Sequence, residues 1–122
     1  THARDACNDT LFAFRPSCSY RKRLESWFRQ DGVVPGTIME IHSYHAMLAC
    51  VASGAGLAML PYAVLESLPA GTRVQVHELP SDIAAASTWL VWRRDAFGPN
   101  VEALKKLIIE QGSIIEPLAQ SE

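Results

Sequence analysis

The sequence contains no apolar run approaching the roughly 20 residues of a membrane span, so no membrane segment is expected. It has no basic-then-apolar leader. Its first residue is Thr1, so the start of the gene product is expected to lie upstream. Charge of either sign is in small excess at most: 11 Lys and Arg stand against 13 Asp and Glu, a formal −2. Nothing in that balance argues for nonspecific nucleic-acid binding by this chain itself. Cysteine is scarce and odd in number, with Cys7, Cys18 and Cys50 at no metal-like spacing. The expectation is reduced thiols in a cytoplasmic setting, with Cys50 a small core residue. His42 and His45 lie three apart and His77 stands well away from both. A metal site needs an i, i+4 pair or nearby carboxylates, so no metal is expected. Gly54-Ala55-Gly56 leaves a helix and enters a strand, the reverse of a dinucleotide loop. No cofactor is expected either.

What is present is the composition of a single soluble domain: 122 residues, 48% apolar and 20% charged. The chain is organised around residues 41–61, IHSYHAMLACVASGAGLAMLP. Ser43 and Tyr44 open a helix, and residues 46–52 carry no charge on any face, the pattern of a buried helix. Gly54 and Gly56 break it. Residues 57–60 then form a short apolar run stopped by Pro61, which reads as a strand covered on both faces.

The remaining elements follow in order. Residues 1–10 are polar and without period, hence loose. Residues 11–14 (LFAF) read as a strand, and Arg15 to Ser19 as a turn. Tyr20, Leu24, Trp27 and Phe28 recur at i, i+4, i+7, i+8, an amphipathic helix closed by Asp31 and a left-handed Gly32. Residues 37–41 (TIMEI) alternate as a second strand. A short helix is predicted in YAVLES, ended by Pro69-Ala70-Gly71. Residues 73–79 (RVQVHEL) alternate as a fourth, more exposed strand. Residues 80–87 are the best linker in the chain. Residues 89–92 (WLVW) read as a fifth strand. Pro99 opens a last helix with Val101, Leu104, Leu107 and Ile108 as its apolar stripe, ended by Gly112. Residues 113–122 form a tail. Trp27, Trp89 and Trp92 read as core or interface residues.

Strands alternating with helices predict an α/β fold: a Rossmann-like parallel or mixed sheet with helices on both faces. Ligands of such sheets bind outside the carboxyl ends of the strands. Two loops lie there and lead into helices, Arg15 to Ser19 and Ile41 to Tyr44. Both place serines at a helix N-terminus, where free N–H groups and the dipole favour a carboxylate or phosphate. The plainer reading is that serine is simply a preferred cap. Arg15, Arg21, Lys22 and Arg23 crowd the same helix start, against the dipole, which points to an anionic ligand or partner nearby. The alternative is a solvated face balanced by Glu25. Cys18 with His42 or His45 is a conceivable nucleophile and base, or a redox thiol, but no third orienting residue or nucleophile-elbow motif accompanies it. An enzyme is not expected.

The stretch SYHAMLACVASGAGLAMLP resembles the VaaGxGialLP segment of the effector-binding domain of LysR-type transcriptional regulators. FRPSCSYRKRLESWFRQDGVVPG before it, and TWLVWRRD with a helix after it, resemble the flanking pieces of that family. The ordered set spans residues 10–111. The resemblance implies one lobe of a periplasmic-binding-protein-like (type II) two-lobe domain. On that reading residues 11–79 are the second lobe. Residues 80–112 are a hinge-return strand and helix normally packed on a first lobe outside this sequence. The family also implies DNA binding through a separate winged helix-turn-helix, a small anionic effector (a carboxylate) between the lobes, and ligand-biased lobe closure. The effector-binding positions implied here are Ser17, Cys18, Ser19, His42, Ser43 and Tyr44. Unpartnered apolar faces would favour self-association into an oligomer. The rival is a small cytosolic enzyme or redox module using Cys18 with a histidine. A solute-binding transport lobe is disfavoured by the missing leader.

Overall fold

The computed structural model describes residues 1–68 and 73–111. The predicted end of the YAVLES helix at Pro69-Ala70-Gly71, Gly112 and residues 113–122 lie outside the described residues. The chain divides into two compact units, Thr1–Ala86 and Ser87–Glu122.

In the first unit β1 (Thr10–Ala13), β2 (Thr37–Glu40) and β3 (Leu57–Ala58) form a three-stranded sheet in the order β2-β1-β3. Both pairings are parallel, with Thr10 opposite Thr37 and Leu11 opposite Leu57. Successive strands are joined through helices: α1 (Ser19–Gln30) joins β1 to β2, and α2 (Tyr44–Ala52) joins β2 to β3. The first crossover steps to one side of β1 and the second steps back over it. Right-handed connections running in opposite directions place their helices on opposite faces of the sheet. The side chains agree with this. Leu11 and Ala13, on one face of β1, share a buried cluster with Leu24, Trp27 and Phe28 of α1, whereas Phe12 lies outside that cluster, as do Met47 and Leu48 of α2.

Local chemistry explains the helices. Of the predicted stripe of α1, Leu24, Trp27 and Phe28 are buried and Tyr20 is half-buried. Gly32 adopts φ 67° and ends the helix: its N–H donates to Arg29 O and that of Val33 to Phe28 O, the two bonds of a Schellman turn. Gly54 and Ala55 donate in the same pattern to Val51 O and Cys50 O at the end of α2.

Several expectations need correction. The opening residues are not featureless: Ala3–Ala6 forms a 3₁₀ turn with both alanines buried, and the Ala3 N–H donates to Asp31 Oδ2 at 2.6 Å. The anchoring acceptor lies at the far end of α1, so no local pattern signals it. Helix α2 is apolar all round but buries only Met47 and Leu48; Ala46, Ala49 and Ala52 are exposed and Cys50 is half-buried. Alanine supports a helix through propensity without needing burial, so the uncharged stretch overstated its cover. Strand β3 is two residues long and half-buried, not a four-residue strand covered on both faces. Residues 73–79 form no strand, and most of them are exposed. Alternation is necessary for a half-buried strand, but a ladder partner is needed too. The stretch read as a linker contains the short helix α4 (Ser81–Ala84), whose Ile83 is buried against the α1 cluster. A short helix α3 (Tyr62–Glu66) stands where YAVLES predicted one.

The second unit, taken by itself, holds the 3₁₀ turn Arg94–Ala96 and helix α5 (Pro99–Glu110), which starts at Pro99 as predicted. Residues 89–92 are not a strand; Trp89, Leu90, Val91 and Trp92 are exposed, as are Leu104 and Leu107 of the predicted stripe of α5. Among the described residues no helix is long and apolar enough to cross a membrane.

Candidate functional site

Strands β1 and β2 end side by side, and the ladder runs one step further, the Ile41 N–H donating to Ala13 O at 2.9 Å. The loops that follow therefore leave the same edge of the sheet together. After β1 the chain turns tightly: Cys18 N–H donates to Arg15 O at 3.0 Å, placing Pro16 second in a four-residue turn. Proline fits there because its fixed φ matches the turn. Helix α1 starts at once, Lys22 N–H donating back to Cys18 O. Cys18 is the N-cap residue but its thiol makes no cap hydrogen bond. The first backbone N–H groups of α1 thus keep no acceptor from their own helix.

Residues 14, 15, 17, 18, 19 and 42 line one open depression of ≈ 490 Å³: Phe14, Arg15, Ser17, Cys18, Ser19 and His42. Ser17, Cys18, Ser19 and His42 belong to the six positions singled out from sequence. The other two take different places. Ser43 caps α2, its Oγ accepting from the Ala46 N–H at a long 3.4 Å. Tyr44 packs its ring edge-on against Phe14, centroids 4.7 Å apart. That contact ties the two loops together. Burial, with the neighbouring Cys18 and Tyr20, raises the Tyr44 hydroxyl pKa above the ordinary tyrosine value of 10.0. His42 Nε2 stands 3.4 Å from Glu40 Oε1, an exposed pair on the β2 side of the rim.

Phe14 is a lining residue that the sequence reading does not name, and Arg15 is named there with its loop but not among the six effector positions. A usable signal existed: both directly follow the central strand at its carboxyl end, where α/β ligand sites form. Of the two readings of the cation cluster, the balance by Glu25 holds for Arg21. Arg21 donates to Glu25 Oε1 at 2.7 Å and to Phe14 O at 3.3 Å, locking the strand end to α1. Arg23 turns to the Ile83 and Ala85 carbonyls at 2.6 and 2.7 Å. These two guanidiniums serve the scaffold. Arg15 remains exposed at the depression. Its position beside free helix N–H groups suits a small anion, and the Phe14 ring supplies an apolar wall.

The model of the LysR substrate binding domain matches residues 1–113. The chain is 34% identical over 101 residues to the HTH-type transcriptional regulator SoxR of Arthrobacter sp. (strain TE1826), covering 83% of this chain and 34% of that protein. It is 32% identical over 107 residues to the HTH-type transcriptional regulator CzcR of Bacillus subtilis (strain 168), covering 87% of this chain and 37% of that protein. A CzcR of Bacillus anthracis is 29% identical over 99 residues, 81% of this chain and 34% of the relative. The chain thus spans about a third of the length of the curated relatives it matches.

Proposed function

The chain belongs to the LysR substrate binding domain family, and from that premise we propose that it is part of the inducer-sensing domain of a LysR-type transcriptional regulator. Residues 11–79 are the second lobe of a periplasmic-binding-protein-like pair. Residues 80–112 are the return through the hinge and the element that packs on the first lobe. The ligand is a small anion, a carboxylate, held between the lobes. Binding favours the closed arrangement through its differential affinity for two states, and that shift reaches DNA through a separate domain of the regulator. The regulator acts in the cytoplasm and self-associates.

The observation that carries this reading is the depression at the carboxyl edge of β1 and β2. Its wall joins Arg15, two serines and the uncapped start of α1 to the Phe14 ring. Ser17 and Ser19 present hydroxyls to a carboxylate, the N–H groups of α1 bind its charge, and Phe14 accepts the apolar body. The site is open on one side, so this lobe supplies half of the contacts and affinity in isolation is weak.

Titrating the chain with a panel of small carboxylates, read by amide chemical shifts, tests the proposal. The expected result is millimolar binding with shifts confined to residues 14–19 and 41–44, lost in Ser17→Ala/Ser19→Ala. Tight, submicromolar binding to this chain alone would overturn the half-site. Shifts centred elsewhere would overturn the site.

The rival reading, a thiol enzyme or redox module, draws on one observation: Cys18 and His42 line the same depression. His42, however, is turned to Glu40. A turnover or thiol response abolished by Cys18→Ser would favour this rival over the sensor.

A further inference from the structure

The stretch joining the two units was expected to be a linker, yet its first part is held. One guanidinium nitrogen of Arg23, Nη1, donates to both the Ile83 carbonyl at 2.6 Å and the Ala85 carbonyl at 2.7 Å. Beyond it on α1, Gln30 Nε2 donates to Asp82 Oδ2 at 2.9 Å. Between these two clasps the Ile83 side chain is 3% exposed and sits in the cluster of Leu24, Trp27 and Phe28. The segment adds its own turn, with Ile83 and Ala84 N–H donating to Pro80 O and Ala85 N–H to Ser81 O. The compact unit ends one residue later, at Ala86.

We propose that Arg23 is a latch that fastens residues 80–85 to α1, so that the chain becomes free to pivot only past Ala86. Ile83 is the bolt, and the two carbonyls are the keeper. A charged donor holding two carbonyls is among the stronger hydrogen-bond arrangements a protein offers, and a neutral amide on a shorter side chain brings neither the charge nor the reach. Helix α1 carries the latch one turn after the Cys18 and Ser19 positions of the depression. A displacement of the start of α1 therefore reaches the exit of the chain through a single rigid element. That consequence rests on the proposed sensing role; the latch itself does not. In a two-lobe sensor it confines the bending residues of this crossing to the few that follow Ala86, instead of the whole of residues 80–87.

Hydrogen exchange on the chain tests the latch without any ligand. In the unaltered protein the amides of Ile83, Ala84 and Ala85 should exchange about a hundredfold more slowly than those of Ser87 and Thr88, in step with α1. In Arg23→Gln the rates at residues 83–85 should rise toward those of residues 87 and 88 while α1 and β1 keep theirs. Arg23→Lys, which keeps the charge on a shorter side chain, should fall between. Gln30→Ala, which removes only the Asp82 clasp, should produce a smaller rise. Equal exchange at residues 83–85 and 87–88 in the unaltered chain would overturn the proposal, and so would unchanged rates at residues 83–85 in Arg23→Gln. If Arg23→Gln does not fold, the first comparison and Gln30→Ala still decide. Failure of carboxylate binding would leave all of these rates as they are, so the two proposals fail separately.

Discussion

Gly56 is where the sheet has least room. A Cβ built there would clash with the Thr10 carbonyl oxygen and lie 3.1 Å from the Phe12 ring. The backbone oxygen cannot swing aside without breaking the β1–β3 ladder. Gly56→Ala should destabilise the chain by about 3 kcal/mol, read as a fall in the denaturant midpoint at unchanged slope. Tyr44 offers a different handle. Its folded pKa lies above 10.0, burial being the first cause and Cys18 and Tyr20 following. An acid whose folded pKa is raised binds more protons folded than unfolded in the interval between the two values. Its stabilising contribution is therefore full below pH 10 and is lost as pH rises through the folded pKa. Phenolate absorbance should show a component titrating above free tyrosine that disappears in Tyr44→Phe. The candidate site was legible at this scale in part. Sheet logic picks out the loops Arg15 to Ser19 and Ile41 to Tyr44 because residues after a parallel strand face the ligand edge, and the family resemblance narrows them to six positions, of which Ser17, Cys18, Ser19 and His42 line the depression. It could not tell that Tyr44 turns to meet Phe14, since ring packing across two loops has no signature in either one.

The helices were the most readable elements, because each carries its own code. In α1 the stripe of Leu24, Trp27 and Phe28, the start after Pro16 and the stop at Gly32 are all local facts. Truncation of that stripe should be costly: Leu24→Ala, at a side chain 4% exposed, should lose about 3 kcal/mol in a denaturant melt. Strands were readable only where a partner exists. TIMEI alternates and lies beside β1; RVQVHEL alternates equally well and has no ladder among the described residues. Side-chain period reports which face could be covered, whereas a strand also needs acceptors and donors at ladder spacing. Those come from elsewhere in the chain or from another chain, and a window of seven residues cannot contain them. WLVW fails for the same reason. The packed turn Ala3–Ala6 was hidden in the opposite sense: its anchor, Asp31, is distant in sequence, and two alanines give no amphipathic signal.

At the scale of the whole chain, the second unit presents Trp89, Trp92, Phe97, Leu104 and Leu107 to solvent, the two tryptophans 52% and 40% exposed. Apolar surface gathered in this way drives association. Sedimentation should show mass rising with concentration, and Trp89→Gln/Trp92→Gln should weaken that dependence while leaving the melting of the first unit in place. A monomer at every concentration would refute the expectation. The parallel order of the sheet has one more consequence, for the way the chain is made. The central strand β1 is synthesised first, but neither neighbour is adjacent in sequence: β2 follows only after α1, and β3 only after α2. No hairpin joins it to either of these neighbours. During synthesis at about 5–20 residues per second, Leu11 and Phe12 wait for seconds before Leu57 and Ala58 leave the ribosome, and Ile83, which seals the α1 cluster, arrives later still. Until Leu57 and Ala58 emerge, β1 cannot have both of the neighbours it has in the finished sheet, and a chaperone that holds extended apolar segments has its longest opportunity there.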